Sequence, residues 1–195
     1  FIRRILHEHS AEFKGVDHQV DTYFKVRQWR LKIREGNIEN YLIYYERENK
    51  KEPKKSALIL SEINNNIKNT FYKTLDTICV VRKKREIYFI NNIKFHIDNI
   101  PELGAFVEIE AMFTTPNNID AYKQVEKFIK LFNIREDNII DYSYSDMLMN
   151  MSSKSVTTHK IFRNFTYHNL YCLIRKYIAK QIFNNKILGK IENQG

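Results

Sequence analysis

The sequence predicts an α+β fold: a closed antiparallel β-barrel with flanking helices, whose charged side chains line the bore. Short segments of the chain alternate apolar and charged residues, and a period of two is the period of a β-strand. The charges are also segregated by strand, since cations concentrate in residues 29–34 and acids in residues 106–110. Finally, the charge density is high for positions that in a sheet facing water would often carry Thr, Ser or Gln.

An open sheet with one face on the core and one face in water produces the same alternation, and its charges would then be merely solvated. A closed barrel also accommodates the pattern, because the inner and outer faces of a barrel can differ completely. In a barrel the apolar side chains would point outward under the helices and the charged ones into the bore. Both arrangements are open at this point, and the segregation of sign favours the barrel.

The predicted strands come from these alternating segments and from the turns between them. They cover residues 20–24, 29–35, 41–47, 80–90, 93–98 and 106–112. Gly36-Asn37 and Asn91-Asn92 lie between successive strands, and such dipeptides are typical of hairpin turns. The order of these segments therefore predicts a sheet built largely from hairpins.

Apolar residues at helical spacing mark the helices. They predict helices in residues 1–13, 63–75 and 119–132, and a basic amphipathic helix in residues 165–188. We therefore divide the chain into a domain of residues 1–148 and an extension of residues 149–195 that consists of a linker and this last helix. The apolar face of the helix would pack on the barrel or on a second subunit of a homodimer; a membrane surface is the alternative.

Composition narrows the classes of function. With 43% hydrophobic residues in 195, the chain can form a core, so it is not a disordered protein. The net charge of +9 predicts an anionic partner: nucleic acid, a lipid surface or a phosphate-bearing small molecule. No apolar run approaches the roughly 18 residues of a membrane span. Cys79 and Cys172 have neither metal nor disulfide-framework spacing, so the expected location is the cytoplasm.

The acid pair Glu108 and Glu110 points to a more specific chemistry. Residues two apart in a strand face the same side, and two like charges side by side are unfavourable unless a cation lies between or opposite them. Carboxylates coordinate Mg²⁺, while Arg and Lys bind phosphate oxygens. A bore that carries both kinds of residue therefore predicts a polyphosphate held together with a divalent metal.

Five segments of the chain also occur in the order of a known family. They are DTYF (21–24), WRLKIREG (29–36), KKREIYFI (83–90), FHID (95–98) and LGAFVEIE (103–110). In order and spacing they resemble the CYTH, or triphosphate tunnel, superfamily, most closely its class IV adenylyl cyclase branch. The resemblance covers about residues 1–148. It implies a closed antiparallel tunnel that binds a triphosphate together with Mg²⁺ or Mn²⁺.

The resemblance further implies roles for single residues. Glu108 and Glu110 match the metal-binding acid pair of the family, and Asp98 matches an aspartate that is a further ligand or an orienting carboxylate. The implied substrate-binding residues are Lys32, Arg34, Arg47, Lys83 and Arg85, together with Lys54 or Lys55, either of which matches one phosphate-contacting lysine of the family. Of these, Lys83 and Arg85 are also implied in catalysis, together with Asp98. His96 shares the charged face, either as a phosphate contact or as a structural histidine.

One segment of the family has no match. Its members open with a strand that carries an E-x-E-x-K motif, whereas this sequence begins at Phe1 inside a predicted helix. We therefore expect that strand to be missing from this chain. Without it a tunnel would lack a wall and part of its metal site.

Three functions follow from the sequence. The resemblance favours an adenylyl cyclase, which converts ATP to cyclic AMP and pyrophosphate. A triphosphatase acting on inorganic, thiamine or nucleoside triphosphate is the alternative on the same fold. A nucleic-acid-binding module would suit the charge together with 12 Tyr and 13 Phe. We disfavour it because the aromatic residues mostly occupy apolar positions and because carboxylates are interleaved with the basic strands.

Overall fold

The computed structural model describes residues 1–45, 56–113, 119–154 and 171–181. The elements in chain order are α1 (Ile2–Glu8), β1 (Glu12–Phe24), β2 (Arg30–Glu35), β3 (Tyr41–Tyr45), β4 (Ser56–Ser61), α2 (Asn65–Thr74), β5 (Thr77–Ile90), β6 (Ile93–Ile100), β7 (Gly104–Phe113), α3 (Ile119–Leu131), a 3₁₀ turn (Glu136–Asn138), α4 (Tyr144–Lys154) and β8 (Tyr171–Gln181). Strands β1–β7 form one sheet in the order β4-β3-β2-β1-β5-β6-β7, with every pairing antiparallel. The predicted α+β class and antiparallel sheet are confirmed.

The eighth strand pairs with both edges of this sheet. It runs parallel to β7, where Phe106 lies opposite Tyr171, and parallel to β4, where Ser56 lies opposite Ile178. Pairing thus continues from β7 through β8 to β4. The prediction that all strands are antiparallel is wrong for β8, which follows β7 only after a long connection and enters in the same direction as both neighbours.

The prediction of a helix over residues 165–188 is wrong for residues 171–181, which form β8. The rest of that predicted helix lies outside the described residues. The cause is tertiary: two strand edges carry backbone groups that need hydrogen-bond partners, and an extended segment placed between them satisfies both. The boundary proposed at residue 148 falls inside α4, which continues to Lys154.

The first helix is shorter than its pattern predicts. It ends at Glu8, and residues from Glu12 onward already belong to β1, which is much longer than the predicted strand of residues 20–24. The inward-facing residues of this added part include Asp17 and Gln19, both buried. Because these buried residues are polar, the segment shows no alternation of apolar residues, and the strand was missed.

The apolar outer face of the sheet lies under the helices. Helices α1 and α3 cover β6 and β7 through a buried cluster of Ile2, Ile5, Leu6, Ile93, Phe95, Ile97, Val107, Ile109, Ala111, Val125, Phe128 and Phe132. Helix α2 packs Phe71, and its C-cap residue Leu75 packs with it, against β1 and β2, where Phe24, Leu31 and Ile33 are buried. Each fully buried side chain of this kind contributes roughly 1.5–3 kcal/mol. The outward face therefore stabilises the fold and leaves the inward face to charged residues.

Apolar and aromatic side chains limit the charged part of the inward face at one end. They form a buried cluster of Tyr23, Ile43, Tyr45, Val81, Ile100, Phe106 and Tyr144. Several of them lie on the same inward side of a strand as its charged residues, since Tyr23 is two residues after Asp21 and Val81 is two residues before Lys83.

Among the described residues, none of the helices combines the length and apolar character that crossing a membrane requires.

Candidate functional site

Strand register brings the predicted charged residues together on one face. Asp21 of β1 lies opposite Arg34 of β2, and Arg85 of β5 lies opposite Asp98 of β6. The described part of the chain buries a large set of ionisable side chains: Asp17, Asp21, Lys32, Arg34, Lys83, Arg85, His96, Asp98, Glu108 and Glu110. Buried charges are rarely tolerated without partners, so their contacts decide what the site can do.

Asp21 is the centre of the first group of charges, which we call the Asp21 cluster (Asp21, Lys32, Arg34 and Lys83). Its carboxylate accepts hydrogen bonds from Lys32 Nζ at 2.6 Å and from Lys83 Nζ at 2.7 Å. Arg34 donates two more, from Nε at 2.7 Å and from Nη2 at 2.9 Å. Three cations from two strands on either side of β1 thus share one carboxylate.

The Asp21 cluster contains three cationic side chains and one carboxylate, and this imbalance shifts the pKa values of its members. Burial acts to raise the pKa of Asp21, but Arg34, Lys32 and Lys83 hold it well below its usual range. Burial lowers the pKa of Lys83 to about 8, since the attraction of Asp21 is partly offset by repulsion from Arg34 and Arg85. The cluster therefore has an excess of positive charge that a phosphate group would neutralise.

The lowered pKa of Lys83 predicts a pH dependence of stability. Between about 8 and the ordinary value of 10.5, the folded protein has released a proton that the unfolded chain still holds. Stability contributed by this group therefore rises with pH across that window. Relative to Lys83→Met, the unfolding free energy of the wild type should increase between pH 8 and 10, as measured by urea denaturation. Lys84→Met, at an exposed neighbouring position, is the control: its unfolding free energy relative to the wild type should not change with pH in this way. A difference between the wild type and Lys83→Met that stays constant from pH 8 to 10 would contradict the prediction.

A second group, the Glu108 cluster, consists of Arg85, His96, Asp98, Glu108 and Glu110 from β5, β6 and β7. Arg85 donates to both oxygens of Asp98, from Nε at 2.7 Å and from Nη2 at 2.5 Å, and its Nη2 also donates to Glu108 Oε2 at 2.7 Å. His96 Nδ1 lies 3.2 Å from Glu108 Oε2 and 3.7 Å from Glu110 Oε1. This cluster carries more carboxylates than guanidinium groups, the reverse of the Asp21 cluster.

The hydrogen bonds that Asp98 accepts come from side chains that are not candidate metal ligands. Tyr144 Oη donates to Asp98 Oδ2 at 2.8 Å, in addition to the two bonds from Arg85. Although burial acts in the opposite direction, Arg85 lowers the pKa of Asp98. The contacts of Asp98 therefore favour the orienting role over the ligand role, because they fix the guanidinium of Arg85 toward Glu108.

The residues that remain can hold a divalent cation. His96, Glu108 and Glu110 each offer one ligand atom, and these atoms lie within 4.8 Å of one another. Burial and the nearby charge of Arg85 lower the pKa of His96, so that its imidazole is neutral near pH 7 and able to act as a ligand. Carboxylate oxygens suit Mg²⁺ and Mn²⁺, so the donor set fits the metal that the sequence predicts.

The turn between β2 and β3 adds one more carboxylate to this face. Asp17 accepts hydrogen bonds from the backbone N–H groups of Ile38 and Glu39, both at 3.0 Å. A Cβ at Gly36 would lie 2.5 Å from Asp17 Oδ1, so a larger residue here would displace this hydrogen-bonded carboxylate. The anchored turn places Glu39 against two cations, with Arg34 Nη1 donating at 2.7 Å and Lys94 Nζ also in contact.

The predicted site residues have different outcomes. The structure brings together Lys32, Arg34, Lys83, Arg85, Asp98, Glu108 and Glu110. Arg47, Lys54 and Lys55 lie outside the described residues and stay predictions. The sequence did not identify Asp21 or Glu39 as site residues, and it did not assign His96 a role beside the acid pair. For Asp21 a signal was available, since it shares the parity of buried Tyr23 in the DTYF segment.

Known proteins resemble this chain over most of its length. The model of a family described as "CYTH domain" matches residues 2–144. A protein of Methanocaldococcus jannaschii named "Putative adenylate cyclase MJ0240" is 37% identical to the chain over 68 residues. That match covers 34% of this chain and 39% of the relative, so it spans well under half of the relative's length.

Three solved structures of Pyrococcus proteins share the fold. A Pyrococcus horikoshii protein has a TM-score of 0.62 at 24% identity, covering 74% of this chain and 90% of that one. A conserved hypothetical protein of Pyrococcus furiosus has a TM-score of 0.60 at 18% identity, with coverages of 74% and 91%. A second Pyrococcus horikoshii protein has a TM-score of 0.59 at 21% identity, with coverages of 77% and 93%. The family match extends over most of the chain, and the protein belongs to the CYTH domain family.

Proposed function

We propose that this CYTH-domain protein is a metal-dependent enzyme that converts ATP to cyclic AMP and pyrophosphate. The observation that carries the proposal is that two oppositely biased clusters, cations around Asp21 and carboxylates around His96, meet at β5, where Lys83 of one cluster and Arg85 of the other are two residues apart and both buried. A triphosphate bound together with a divalent cation needs both. The name of the Methanocaldococcus jannaschii relative supports the cyclase over other reactions of triphosphates.

In this proposal the sheet closes into a tunnel. The pairing of β8 with β4 and with β7 supports closure, because it joins the two edges that β1–β7 leave open. The charged face then lines the bore, and the aromatic cluster around Tyr144 limits its depth. Enclosure strengthens the attraction between the cations and a bound phosphate, since water screens it less.

The Asp21 cluster would bind the phosphates. The Asp21 carboxylate holds the charged groups of Lys32, Arg34 and Lys83 close together, so their combined positive charge would attract phosphate oxygens to this part of the face. Glu39 accepts a hydrogen bond from Arg34, so a bound phosphate would share this guanidinium with Glu39. The Asp21 cluster would thus bind phosphate through the positions and the positive charge of its side chains.

The Glu108 cluster would hold the metal through Glu108 and Glu110, with Arg85 beside it under the control of Asp98. A bound divalent cation supplies neutralisation of phosphate charge and of the leaving group. In the proposed reaction the ribose 3′-oxygen forms a bond to the α-phosphorus, the bond to the bridging oxygen breaks, pyrophosphate leaves and the hydroxyl proton is released. Lys83 and Arg85 would stabilise the charge that builds up on the phosphate oxygens.

A triphosphatase is the second candidate, and one observation favours it: apart from His96 beside the acid pair, both clusters offer charged groups, which recognise phosphates and metal rather than a base. Purified protein, also extended upstream where the gene allows, should be offered ATP and inorganic triphosphate separately with Mg²⁺ or Mn²⁺. Cyclic AMP and pyrophosphate would support the cyclase. Orthophosphate without a cyclic product would establish the triphosphatase instead, and turnover of neither substrate would overturn both.

Arg34→Ala should weaken the binding of triphosphate far more than that of monophosphate. Arg34 donates to Asp21 and Glu39 at once, and a triphosphate carries more negative charge than a monophosphate with which to compete for this guanidinium. Calorimetric titration with inorganic triphosphate and with phosphate measures the two losses. Arg82→Ala, at an exposed position of β5, is the matched control. Equal losses for both ligands would argue against a phosphate cradle.

A further inference from the structure

We propose that His96 is a third protein ligand of the divalent cation, through Nδ1, and that this nitrogen makes the site select Mn²⁺ over Mg²⁺. The inference rests on the proposed function, in that it concerns the metal of the same site. It goes beyond it because a pair of carboxylates alone offers only oxygen, which suits both cations. The choice of cation would then be set by a residue outside the acid pair.

Strand register places the imidazole beside both carboxylates. His96 of β6 lies directly opposite Glu108 of β7, and Glu110 follows two residues later on the same face. Nδ1 is 3.2 Å from Glu108 Oε2 and 3.7 Å from Glu110 Oε1. A cation that bridges the two carboxylates would therefore be within reach of Nδ1 after small movements of the side chains.

The contacts of His96 are incomplete for a structural histidine. A buried structural histidine normally satisfies both ring nitrogens, because an unsatisfied polar atom costs about 1–3 kcal/mol. His96 is 1% exposed, and its Nε2 has no hydrogen-bond partner among the described residues. Of the two ring nitrogens, Nδ1 is the one that faces both carboxylates, so the role of this buried histidine lies on the side of the acid pair.

The two possible roles of His96, hydrogen-bond donor to Glu108 and metal ligand, predict different cation affinities. If Nδ1 only donates a hydrogen bond to Glu108, it orients that carboxylate and affects all cations alike. If Nδ1 binds the metal, it discriminates between cations, since Mg²⁺ prefers oxygen ligands whereas transition-metal dications accept imidazole. Asn at this position would offer an amide oxygen near the place of Nδ1, and Leu would offer no ligand.

The test measures cation binding without turnover. Pulsed electron paramagnetic resonance of the Mn²⁺-loaded protein, grown with ¹⁵N-histidine, should show a nitrogen coupling that His96→Leu abolishes. The exposed His18→Gln should keep the coupling. In calorimetric titrations His96→Leu should lose about tenfold or more in Mn²⁺ affinity, a typical cost for disturbing a metal site, with little change for Mg²⁺. His96→Asn should bind Mg²⁺ relatively better than the wild type.

The outcomes separate this proposal from the proposed function. Equal losses for both cations and no nitrogen coupling would make His96 an orienting residue and overturn the proposal. Wild-type protein that binds no Mn²⁺ would overturn it as well. A histidine coupling in a protein that turns over neither ATP nor inorganic triphosphate would support the ligand role while the enzymatic function fails. Circular dichroism and thermal unfolding of each variant verify that the fold is retained.

Discussion

Glu110→Gln is expected to lower metal-dependent turnover by on the order of 100-fold or more, because it removes one of the two negative charges that hold the cation. Glutamine retains the size of the side chain and can still accept a hydrogen bond. Glu110 lies on β7 with 5% of its surface exposed. The substitution should therefore remove metal affinity while the fold is retained.

The measurement is the rate of product formation at several Mn²⁺ and Mg²⁺ concentrations, with either ATP or inorganic triphosphate as substrate. Circular dichroism and the melting temperature should match those of the wild type. Glu126→Gln, on the exposed side of α3, is the control for the loss of one charge. Unchanged turnover at limiting metal in Glu110→Gln would remove the metal role of this residue.

Asp21→Asn is expected to lower the free energy of unfolding by about 3–5 kcal/mol, the cost of removing one partner from a buried ion pair. Asp21 is 1% exposed, and three cations form ion pairs with its carboxylate. The amide that replaces it carries no charge and presents N–H groups to lysines that also donate. Lys32, Arg34 and Lys83 would then repel one another without a shared anion.

The same variant should be rescued in part by an anion. Inorganic triphosphate bound at the cluster would supply the missing negative charge, so it should raise the melting temperature of Asp21→Asn more than that of the wild type. Urea denaturation measures the loss of stability, and thermal unfolding with and without the ligand measures the rescue. Asp76→Asn, at an exposed position, is the matched control. A loss below about 1 kcal/mol would show that the three cations find other partners, contrary to this prediction.

Most of the charged site could be predicted from sequence because it lies on strands with regular alternation. Lys32 and Arg34 on β2, like Glu108 and Glu110 on β7, are placed on one face by the backbone period alone. The segment around Asp17 was harder, because its buried residues are polar and no apolar pattern reveals the strand. Glu39 could not be predicted, since a hydrogen-bonded turn and a glycine at residue 36 bring it to the site.

By itself, the sequence determined which residues share a face of each strand, and with it the sign of the charge that each strand contributes. That information is local, because neighbouring residues along an extended backbone alternate sides whatever their partners are. The tertiary structure decided which faces meet. Lys83 reaches Asp21 across 62 positions of the chain because β1 pairs with both β2 and β5. Residues 171–181 become a strand because two edges need hydrogen-bond partners, and such a need appears in no local pattern.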